Sequence, residues 1–269
     1  MTQVICITNN KGGVGKTNIS VNLPVFLADK GKKVLLVDFD HQANATFSLG
    51  VNPKNLALSI YHAMTGQVTP QALIQKTNYL GYDLIPSSPD LAAAGIEMIN
   101  LKDREFRLRQ VLEKIKDSYD YVIIDSPPSL GLLTINALCA SDKVLIPVQC
   151  EYLALEGLEQ LLNTINLVRN NLEQNLEIAG VVLTMYNRMN RVSRDVAKEV
   201  KRNFSGHVFD AIIPRSTDLS EAPKFKKTIS EYAPDSKAAM AFRELAQEIL
   251  DLENISSIKN YETNTGQGN

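Results

Sequence analysis

The residues best suited to chemistry lie near the start of the chain, in a glycine-rich loop. Residues 4–17 read VICITNNKGGVGKT, an apolar run followed by glycines at positions 12, 13 and 15 and then by Lys16 and Thr17. Such glycines allow positive φ angles that turn backbone N–H groups inward, and a helix that begins at the loop adds partial positive charge. Lys16 can then contact the β and γ phosphates of a nucleotide, and the Thr17 hydroxyl can join the shell of Mg²⁺.

The loop departs from the regular Walker pattern, which places a glycine five residues before Gly15. Asn10 occupies that position, and a second lysine, Lys11, opens the segment Lys-Gly-Gly-Val-Gly-Lys-Thr. Average amino-acid frequencies put the chance occurrence of such a segment in a chain of this length at about one in 10⁴. An incidental glycine turn is therefore the weaker interpretation.

Aspartates that follow short apolar runs are candidates for binding a cation. Asp125 ends the run Tyr121–Asp125, Asp38 ends the run Val34–Asp38, and Asp40 lies two residues further on. Because an unpaired carboxylate at the end of a buried strand costs free energy, Asp125 needs a cation or strong hydrogen-bond donors. The alternative is that each carboxylate only caps the turn that follows its strand, and this alternative is stronger for Asp38 than for Asp125.

Several segments together resemble the ParA/MinD family of ATPases, whose deviant Walker A loop has a second lysine at its start. Residues 34–46, VLLVDFDHQANAT, are similar to the second signature of that family, and residues 121–128, YVIIDSPP, to its Walker B strand. Residues 212–223, IIPRSTDLSEAP, are similar to a C-terminal segment typical of the chromosomal ParA branch, often called Soj. The resemblance extends over nearly the whole globular part of the chain.

The resemblance implies an ATPase of the P-loop NTPase type that binds ATP and Mg²⁺ and hydrolyses ATP weakly until a partner stimulates it. It implies that Asp40 orients the attacking water and that Lys11 crosses a dimer interface to the phosphates in the other subunit. Thr17, Asp38 and Asp125 would surround Mg²⁺. The residues expected to bind nucleotide are Lys11, Gly12, Gly13, Val14, Gly15, Lys16, Thr17 and Asn18 in the loop, and Asn187 and Pro214 beside the adenine.

A basic stretch in the second half of the chain could contact DNA. Between Met185 and Lys227, ten Lys and Arg residues stand against five Asp and Glu residues, whereas the whole chain has a net charge of −2. On a helix whose apolar face holds Val192, Val196 and Val200, basic side chains fall on the opposite face. Salt-sensitive contact with DNA phosphates is one interpretation, and an ordinary solvated helix face is the other. The candidate DNA-binding residues are Arg188, Arg191, Arg194, Lys198, Lys201, Arg202, Lys224, Lys226 and Lys227.

Taken with the resemblance, these features predict a ParA-like partition ATPase. ATP would drive formation of a homodimer, the dimer would bind non-specific DNA, and a ParB-like activator would stimulate hydrolysis. We expect a cytoplasmic, nucleoid-associated protein that does not bind membranes. The main alternative, a MinD-like membrane-cycling regulator, needs a C-terminal amphipathic helix that the polar residues 254–269 do not supply. A nucleotide-binding module without turnover is another alternative, because His41 and Ala43 replace the proline and glycine frequent in the family.

The elements that must position these residues alternate between strand and helix. Most strand-like runs are continuously apolar, which is typical of strands covered on both faces, and amphipathic helical patterns lie between them. The alternation predicts an α/β fold, doubly wound, with a mainly parallel sheet and helices on both faces. The predicted strands are Val4–Thr8, Val34–Asp38, Asp83–Ile85, Tyr121–Asp125, Val144–Val148, Ile178–Met185 and Val208–Ile213.

Composition and length fit one globular domain. The chain has 269 residues, 44% of them hydrophobic, and its three cysteines, Cys6, Cys139 and Cys150, are too far apart in sequence for a Cys-x-x-Cys metal or redox site. Because no compositional break marks a linker, we expect a single deviant Walker A ATPase domain over residues 1–253. The last periodic helix is predicted from about Ser236 to Leu252, and residues 254–269 are predicted to be a polar disordered tail.

Overall fold

The computed structural model describes residues 2–152 and 154–265, and for residues 255–265 it describes the helical backbone alone. Within these residues one seven-stranded sheet forms the centre of the molecule. Its strands are β1 (Gln3–Ile7), β2 (Val34–Asp38), β3 (Gln75–Lys76), β4 (Tyr82–Ile85), β5 (Tyr121–Asp125), β6 (Lys143–Gln149) and β7 (Glu177–Thr184).

The strands follow the order β3-β4-β2-β5-β1-β6-β7, and neighbours are parallel except that β3 runs antiparallel to β4. Since parallel strands end at the same edge, the segments that follow β1, β2 and β5 meet there. Asp125 at the end of β5 is in register with Ile7 of β1 and with Asp38 of β2. The carboxyl edge of an open parallel sheet is also where ligands of such folds bind.

Helices cover both faces of the sheet, so the predicted α/β fold class is confirmed. The helices are α1 (Lys16–Ala28), α2 (Asn44–Ser48), α3 (Ile60–Met64), α4 (Leu91–Glu97), α5 (Arg107–Leu112), α6 (Leu132–Cys139), α7 (Ala154–Asn171), α8 (Arg191–Asn203), α9 (Thr217–Glu221), α10 (Ile229–Tyr232) and α11 (Lys237–Thr265). One core cluster joins α1, α2, α9, α10 and α11 to sheet side chains such as Ile5, Leu36 and Ile123, and a second joins α3 to α8 to side chains on the opposite face. Shorter 3-10 turns lie at Pro53–Asn55, Pro70–Leu73, Arg104–Phe106, Lys116–Ser118 and Ala222–Phe225.

At the edges of the sheet, one strand was not predicted and one predicted strand is wrong. The two-residue β3 was not predicted, because so short a run has no detectable alternation. The predicted strand Val208–Ile213 runs beside β7 but forms no regular ladder: Val208 bridges Val181, and the N–H of Ile213 donates to the carbonyl of Leu183 at 2.9 Å. Its close approach requires Gly180, which has a φ of 152° and where a Cβ atom would lie 2.8 Å from the carbonyl oxygen of His207.

The C-terminal helix is longer than the sequence analysis predicted. α11 runs to Thr265, past the predicted end near Leu252 and into the segment 254–269 that was expected to be disordered. After Pro234, the sequence has neither glycine nor proline until Gly266, so nothing in its composition interrupts the helical hydrogen bonds. Residues 266–269 of the predicted tail lie outside the described residues. In the part of the chain that the structure describes, no helix has the length and apolar character to cross a bilayer.

Candidate active site

The glycine-rich loop connects β1 to α1 at the carboxyl edge of the sheet. Gly13 and Gly15 have φ angles of 74° and 94°, which fits the requirement for positive φ in a loop that turns its N–H groups inward. α1 begins at Lys16, and Gly15 occupies the N-cap position, where glycine has no side chain to cap the first helical turn. The N–H groups at this end of the helix are therefore suited to bind an anion.

Side chains from other strands fix the loop in place. The Asn9 amide nitrogen donates to the carbonyl oxygen of Pro147 in β6 at 2.7 Å, and its amide oxygen accepts from the N–H of Lys11 at 3.0 Å. On the other side, the Thr184 hydroxyl at the end of β7 donates to the carbonyl oxygen of Val14 at 2.8 Å. These bonds hold the loop between the ends of two strands and leave the Lys11 side chain exposed.

Lys16 is buried at the centre of this arrangement. Its ammonium group donates to the carbonyl oxygen of Lys11 at 3.1 Å. Burial lowers the pKa of Lys16, and the nearby carboxylates of Asp125 and Asp40 act in the opposite direction. Among the described residues, the Lys16 ammonium has one hydrogen-bond acceptor, and that acceptor is a neutral carbonyl. The ammonium is therefore suited to bind the phosphate oxygens of a ligand.

Asp125 is buried at the end of β5. The Ser20 hydroxyl in α1 donates to its Oδ1 at 2.9 Å, whereas Oδ2 is buried and has no hydrogen-bond partner among the described residues. Burial, with the neighbouring Asp38 carboxylate as the next cause, raises the pKa of Asp125 to about 8. A buried carboxylate oxygen without a partner is costly, so this position favours a cation. No cluster of three or more His, Cys, Asp or Glu side chains suited to a metal occurs among the described residues.

Asp38 lies beside Asp125 but uses both oxygens within the protein. Its Oδ2 accepts from the N–H of Thr46 at 2.7 Å and from the Thr46 hydroxyl at 2.6 Å, and its Oδ1 accepts from the N–H of Asp40 at 3.3 Å. Burial raises the pKa of Asp38 to about 6, and the hydrogen bonds from Thr46 oppose the shift. The structure therefore places Asp38 where it organises the loop that follows β2.

Asp40 lies in that loop and points into the cavity described below. The N–H of Gln42 donates to its Oδ1 at 3.0 Å, and His41 Nδ1 lies 3.5 Å from the same oxygen. Ala43 has a φ of 53°, a conformation that glycine adopts without strain, and its N–H donates to the carbonyl oxygen of Asp40 at 2.9 Å. The backbone thus forms a tight turn at Asp40. In this turn, His41 and Ala43 stand where the ParA/MinD family frequently has proline and glycine.

A cavity of about 640 Å³ lies over the loop and falls within the range of small-molecule sites. Gly13, Lys16, Thr17 and Asp40 line it, and Leu219 and other residues of α9 and the turn after it close its far side. A larger cavity of about 830 Å³ lies at the opposite edge of the sheet, near Tyr79 and Tyr119. None of the predicted site residues lines that cavity, so its volume alone does not make it the site.

The two predicted adenine-side residues have different surroundings. Pro214 lines a small cavity of about 80 Å³ together with Asn18 and Gly15. Asn187 is exposed in the turn before α8, where its N–H donates to the Ser193 hydroxyl at 3.0 Å. Its side-chain oxygen accepts the N–H of Met189 at 3.0 Å. The structure therefore brings Pro214, but not Asn187, to the edge of the phosphate loop.

Sequence reasoning missed several residues of the site. Ser20 lies one helical turn after Lys16, and this spacing could have placed it next to the same ligand. Thr46 and Phe47 are in α2, and only the return of α2 to the sheet edge brings Thr46 to Asp38 and Phe47 to the cavity. The remaining lining residues without a prediction are Gln42, Asn44, Ser48, Pro128, Met185, Leu219, Ser220 and Pro223.

The predicted DNA-binding residues form two groups on the surface. The first, here called the basic surface, consists of six side chains on or just before α8: Arg188, Arg191, Arg194, Lys198, Lys201 and Arg202. Arg191 pairs with Asp195 at 3.4 Å and Lys201 with Asp210 at 3.0 Å. The second group, Lys224, Lys226 and Lys227, lies on and after the turn Ala222–Phe225, whose Pro223 lines the cavity.

The apolar side of α8 differs from the prediction. Val192, which was expected to face the core, is 48% exposed, whereas Ser193, Ala197 and Val200 are buried. The small Ser193 and Ala197 let the helix lie close to the protein, and the Ser193 hydroxyl accepts the N–H of Asn187. The helix is consequently rotated relative to the face that the valines alone suggested.

Comparison with known proteins gives consistent matches over nearly the whole chain. A family model described as an AAA domain matches residues 2–178. The chain is 49% identical to the sporulation initiation inhibitor protein Soj of Bacillus subtilis over 93% of this chain and 98% of that protein. It is 45% identical to the chromosome partitioning protein ParA of Myxococcus xanthus over 92% of this chain and 88% of that protein.

Two solved structures show the same fold. Cobyrinic acid a,c-diamide synthase of Mycobacterium smegmatis, with bound ATP analog and magnesium, has a TM-score of 0.82 at 37% identity, covering 93% of this chain and 95% of that chain. The cell division ATPase MinD of Pyrococcus furiosus has a TM-score of 0.74 at 29% identity, covering 94% of this chain and 100% of that chain.

Proposed function

The chain belongs to the Soj/ParA family of partition ATPases, and on that premise we propose that it couples an ATP cycle to reversible attachment to DNA. It is an ATPase, and its ligands are ATP and Mg²⁺. In the proposed cycle, ATP-bound subunits form a homodimer, the dimer binds DNA without sequence preference on the nucleoid, and a ParB-like activator stimulates hydrolysis and release. Residues 1–253 form the ATPase domain in this proposal.

The observation that carries the proposal is the unpartnered Oδ2 of Asp125 at the carboxyl edge. Thr17, whose hydroxyl is a suitable Mg²⁺ ligand, lies at the same edge and lines the cavity over the loop. A cation held by Thr17 and Asp125, directly or through water, removes the cost of the buried carboxylate. Bound Mg²⁺ supplies compensation for the negative charge on the phosphates. Asp38 supports this site through its bonds to the loop after β2.

The other residues of the edge supply orientation and charge. Lys16 and the N–H groups of the loop hold the phosphates, and Asp40, in the same cavity, orients the attacking water. Phosphoryl transfer requires little covalent chemistry from the protein, so groups that orient the water and compensate negative charge are the kinds of group that ATP hydrolysis needs. Lys11 is exposed beside the loop, and in the proposed dimer its ammonium reaches the phosphates bound in the other subunit.

DNA attachment is proposed for the basic surface and for Lys224, Lys226 and Lys227. Most of these cations are exposed, and Arg191, Lys201 and Lys227 pair with Asp195, Asp210 and Glu231 at the surface. Such long surface side chains suit phosphates rather than bases, because contacts with phosphates carry little sequence information. A dimer presents two copies of each group, which raises the avidity for one DNA duplex. ATP-dependent dimerisation therefore provides a physical reason for ATP-dependent DNA binding.

Membrane cycling of the MinD type is less well supported than partition. The Soj and ParA relatives are 45–49% identical to this chain, whereas the MinD structure is 29% identical. Co-sedimentation with liposomes and ATP separates the two functions: a partition ATPase stays in the supernatant and is retained by DNA beads instead.

The direct test compares DNA binding with ATP, with ADP and without nucleotide, and measures phosphate release with DNA and a basic activator peptide. We expect DNA retention that depends on ATP and hydrolysis that increases when both DNA and activator are present. The Lys16→Ala variant is the matched control and should show neither. DNA binding that is equal in all nucleotide states, or phosphate release that is equal in parent and control, would contradict the proposed function.

A further inference from the structure

We propose that Thr46 is a positioning residue for hydrolysis, which holds the Asp40 loop through Asp38. The inference rests on the proposed function of Asp40. Thr46 is fully buried in α2, and it is not among the residues that line the cavity over the phosphate loop. Its hydroxyl can therefore act on the reaction through its hydrogen-bond partners and does not contact the ligand directly.

Thr46 forms hydrogen bonds with two residues, Asp38 and Ser87. Its N–H and its hydroxyl donate to Oδ2 of Asp38 at 2.7 and 2.6 Å, and its hydroxyl oxygen accepts the N–H of Ser87 at 2.9 Å. Ser87 follows β4, so the hydroxyl links the segment after β2 to the segment after the neighbouring strand. A hydroxyl with one donated and one accepted bond, both buried, has a single favourable orientation.

Asp38 connects the Thr46 hydroxyl to the Asp40 loop that follows β2. Its Oδ1 accepts the N–H of Asp40 at 3.3 Å, and the N–H of Phe39 between them donates to the carbonyl oxygen of Asp125 at 3.0 Å. One carboxylate therefore bonds both to Asp40, in the loop after β2, and to Thr46, in the helix α2 that follows the loop. The other bonds of Asp40, from the N–H groups of Gln42 and Ala43, stay within the turn. The bonds of Asp38 and Phe39 therefore hold the loop against the sheet.

The geometry separates two effects of removing the hydroxyl. Nucleotide affinity depends on Lys16, Thr17 and the loop N–H groups, none of which bonds to Thr46. The position of the attacking water depends on Asp40, whose loop loses one anchor. Because small displacements of an orienting group reduce the rate far more than they reduce binding, the turnover number should fall while KM stays constant.

The experiment compares Thr46→Val with Thr46→Ser in the full chain, with saturating DNA and activator. Valine keeps the volume of threonine but lacks the hydroxyl, whereas serine keeps the hydroxyl and lacks the methyl group. We expect Thr46→Val to lower kcat about tenfold or more with KM within about twofold of the parent, and Thr46→Ser to retain kcat within about twofold. After an ATP chase, Thr46→Val should also leave DNA more slowly than the parent.

Three results would overturn the proposal: parental kcat in Thr46→Val, an equal loss in both variants, or a rise in KM without a fall in kcat. Thermal melting of each variant shows whether it is folded. If Thr46→Val does not fold, Thr46→Cys takes its place, since a thiol is a weak donor, and the same results decide. A parent chain that hydrolyses no ATP under these conditions, or an Asp40→Ala variant as fast as the parent, would instead contradict the proposed function.

Discussion

The carboxyl edge of the sheet and the basic surface on α8 hold their charged groups in opposite ways. At the edge, Lys16, Asp38 and Asp125 are buried, and their hydrogen-bond partners come from the phosphate loop, α2 and α1 respectively. On α8, Arg191 is 87% exposed and its pair with Asp195 stays within the same helix. The function of the edge therefore depends on the positions of individual atoms, whereas the affinity of the basic surface for DNA depends on the sum of its charges.

This difference determines how each region responds to mutation. A buried group that loses its partner retains its full desolvation cost, so single substitutions at the edge have large effects. Exposed ion pairs contribute about 0–1 kcal/mol each, so single substitutions on α8 have small effects that accumulate. The predictions below test this contrast from the largest expected effect to the smallest.

Replacement of Asp40 should produce the largest change in rate. In Asp40→Ala the attacking water has no orienting carboxylate, and we expect activator-stimulated hydrolysis to fall about 10²- to 10⁴-fold while ATP binding is retained. The variant should accumulate as an ATP-bound dimer on DNA. Phosphate release and retention on DNA beads measure the two effects, and rapid release from DNA would contradict the assignment.

Removal of Lys16 should have the largest effect on binding. Lys16→Ala deletes a buried cation that we propose contacts the phosphates, and we expect ATP affinity to fall about 100-fold. Isothermal titration with a non-hydrolysable ATP analogue measures the loss. Lys11→Ala is the matched control, because it removes an exposed lysine of the same loop and should keep the affinity of the single subunit.

Lys11→Ala should instead prevent dimerisation. In the proposed dimer its ammonium binds the phosphates of the other subunit, and loss of this charge-assisted contact should weaken association about tenfold or more. Gel filtration and light scattering with a non-hydrolysable ATP analogue measure the monomer and dimer fractions. If the variant dimerises like the parent, the lysine does not act across the interface.

The pKa of Asp125 predicts a pH effect on the chain without nucleotide and metal. Burial raises this pKa to about 8 in the folded protein, compared with about 4 in the unfolded chain. The protonated carboxyl is therefore favoured by folding, and its contribution to stability is fully present below pH of about 4 and is lost as the pH rises to about 8. In EDTA, the melting temperature should fall over this range by about 5 °C or more. Asp125→Asn should show a smaller decrease, and an equal decrease would assign the effect to other groups.

Single substitutions on the basic surface should have the smallest effect. Lys198→Ala removes one exposed cation, and we expect DNA affinity to fall only a few-fold and the slope of log K against log salt to change by about one. Replacement of Arg191, Lys198 and Arg202 together should reduce affinity roughly by the product of the single effects. A complete loss from one substitution would indicate a specific contact rather than a summed charge.

The sequence predicted well those features that a run of consecutive residues specifies. Gly13 and Gly15 adopt the positive φ angles expected for the phosphate loop, and α1 begins at Lys16. Most of the sheet followed from apolar runs of the expected length. Three errors lie where tertiary packing decides: β3 at the sheet edge, the irregular segment at Val208–Ile213, and the exposed Val192. The extension of α11 to Thr265 is a further difference, and it lies in a segment whose polar composition had suggested disorder.

The sequence by itself determined the family, the α/β fold and the residues of the phosphate loop, because backbone conformation and the periodicity of burial are encoded locally. Only the tertiary structure decided the partners of the three aspartates. It paired Asp38 with Thr46 and left one oxygen of Asp125 without a partner among the described residues. Hydrogen-bond partners depend on which strand ends become neighbours in the sheet, and distance along the chain does not carry that information.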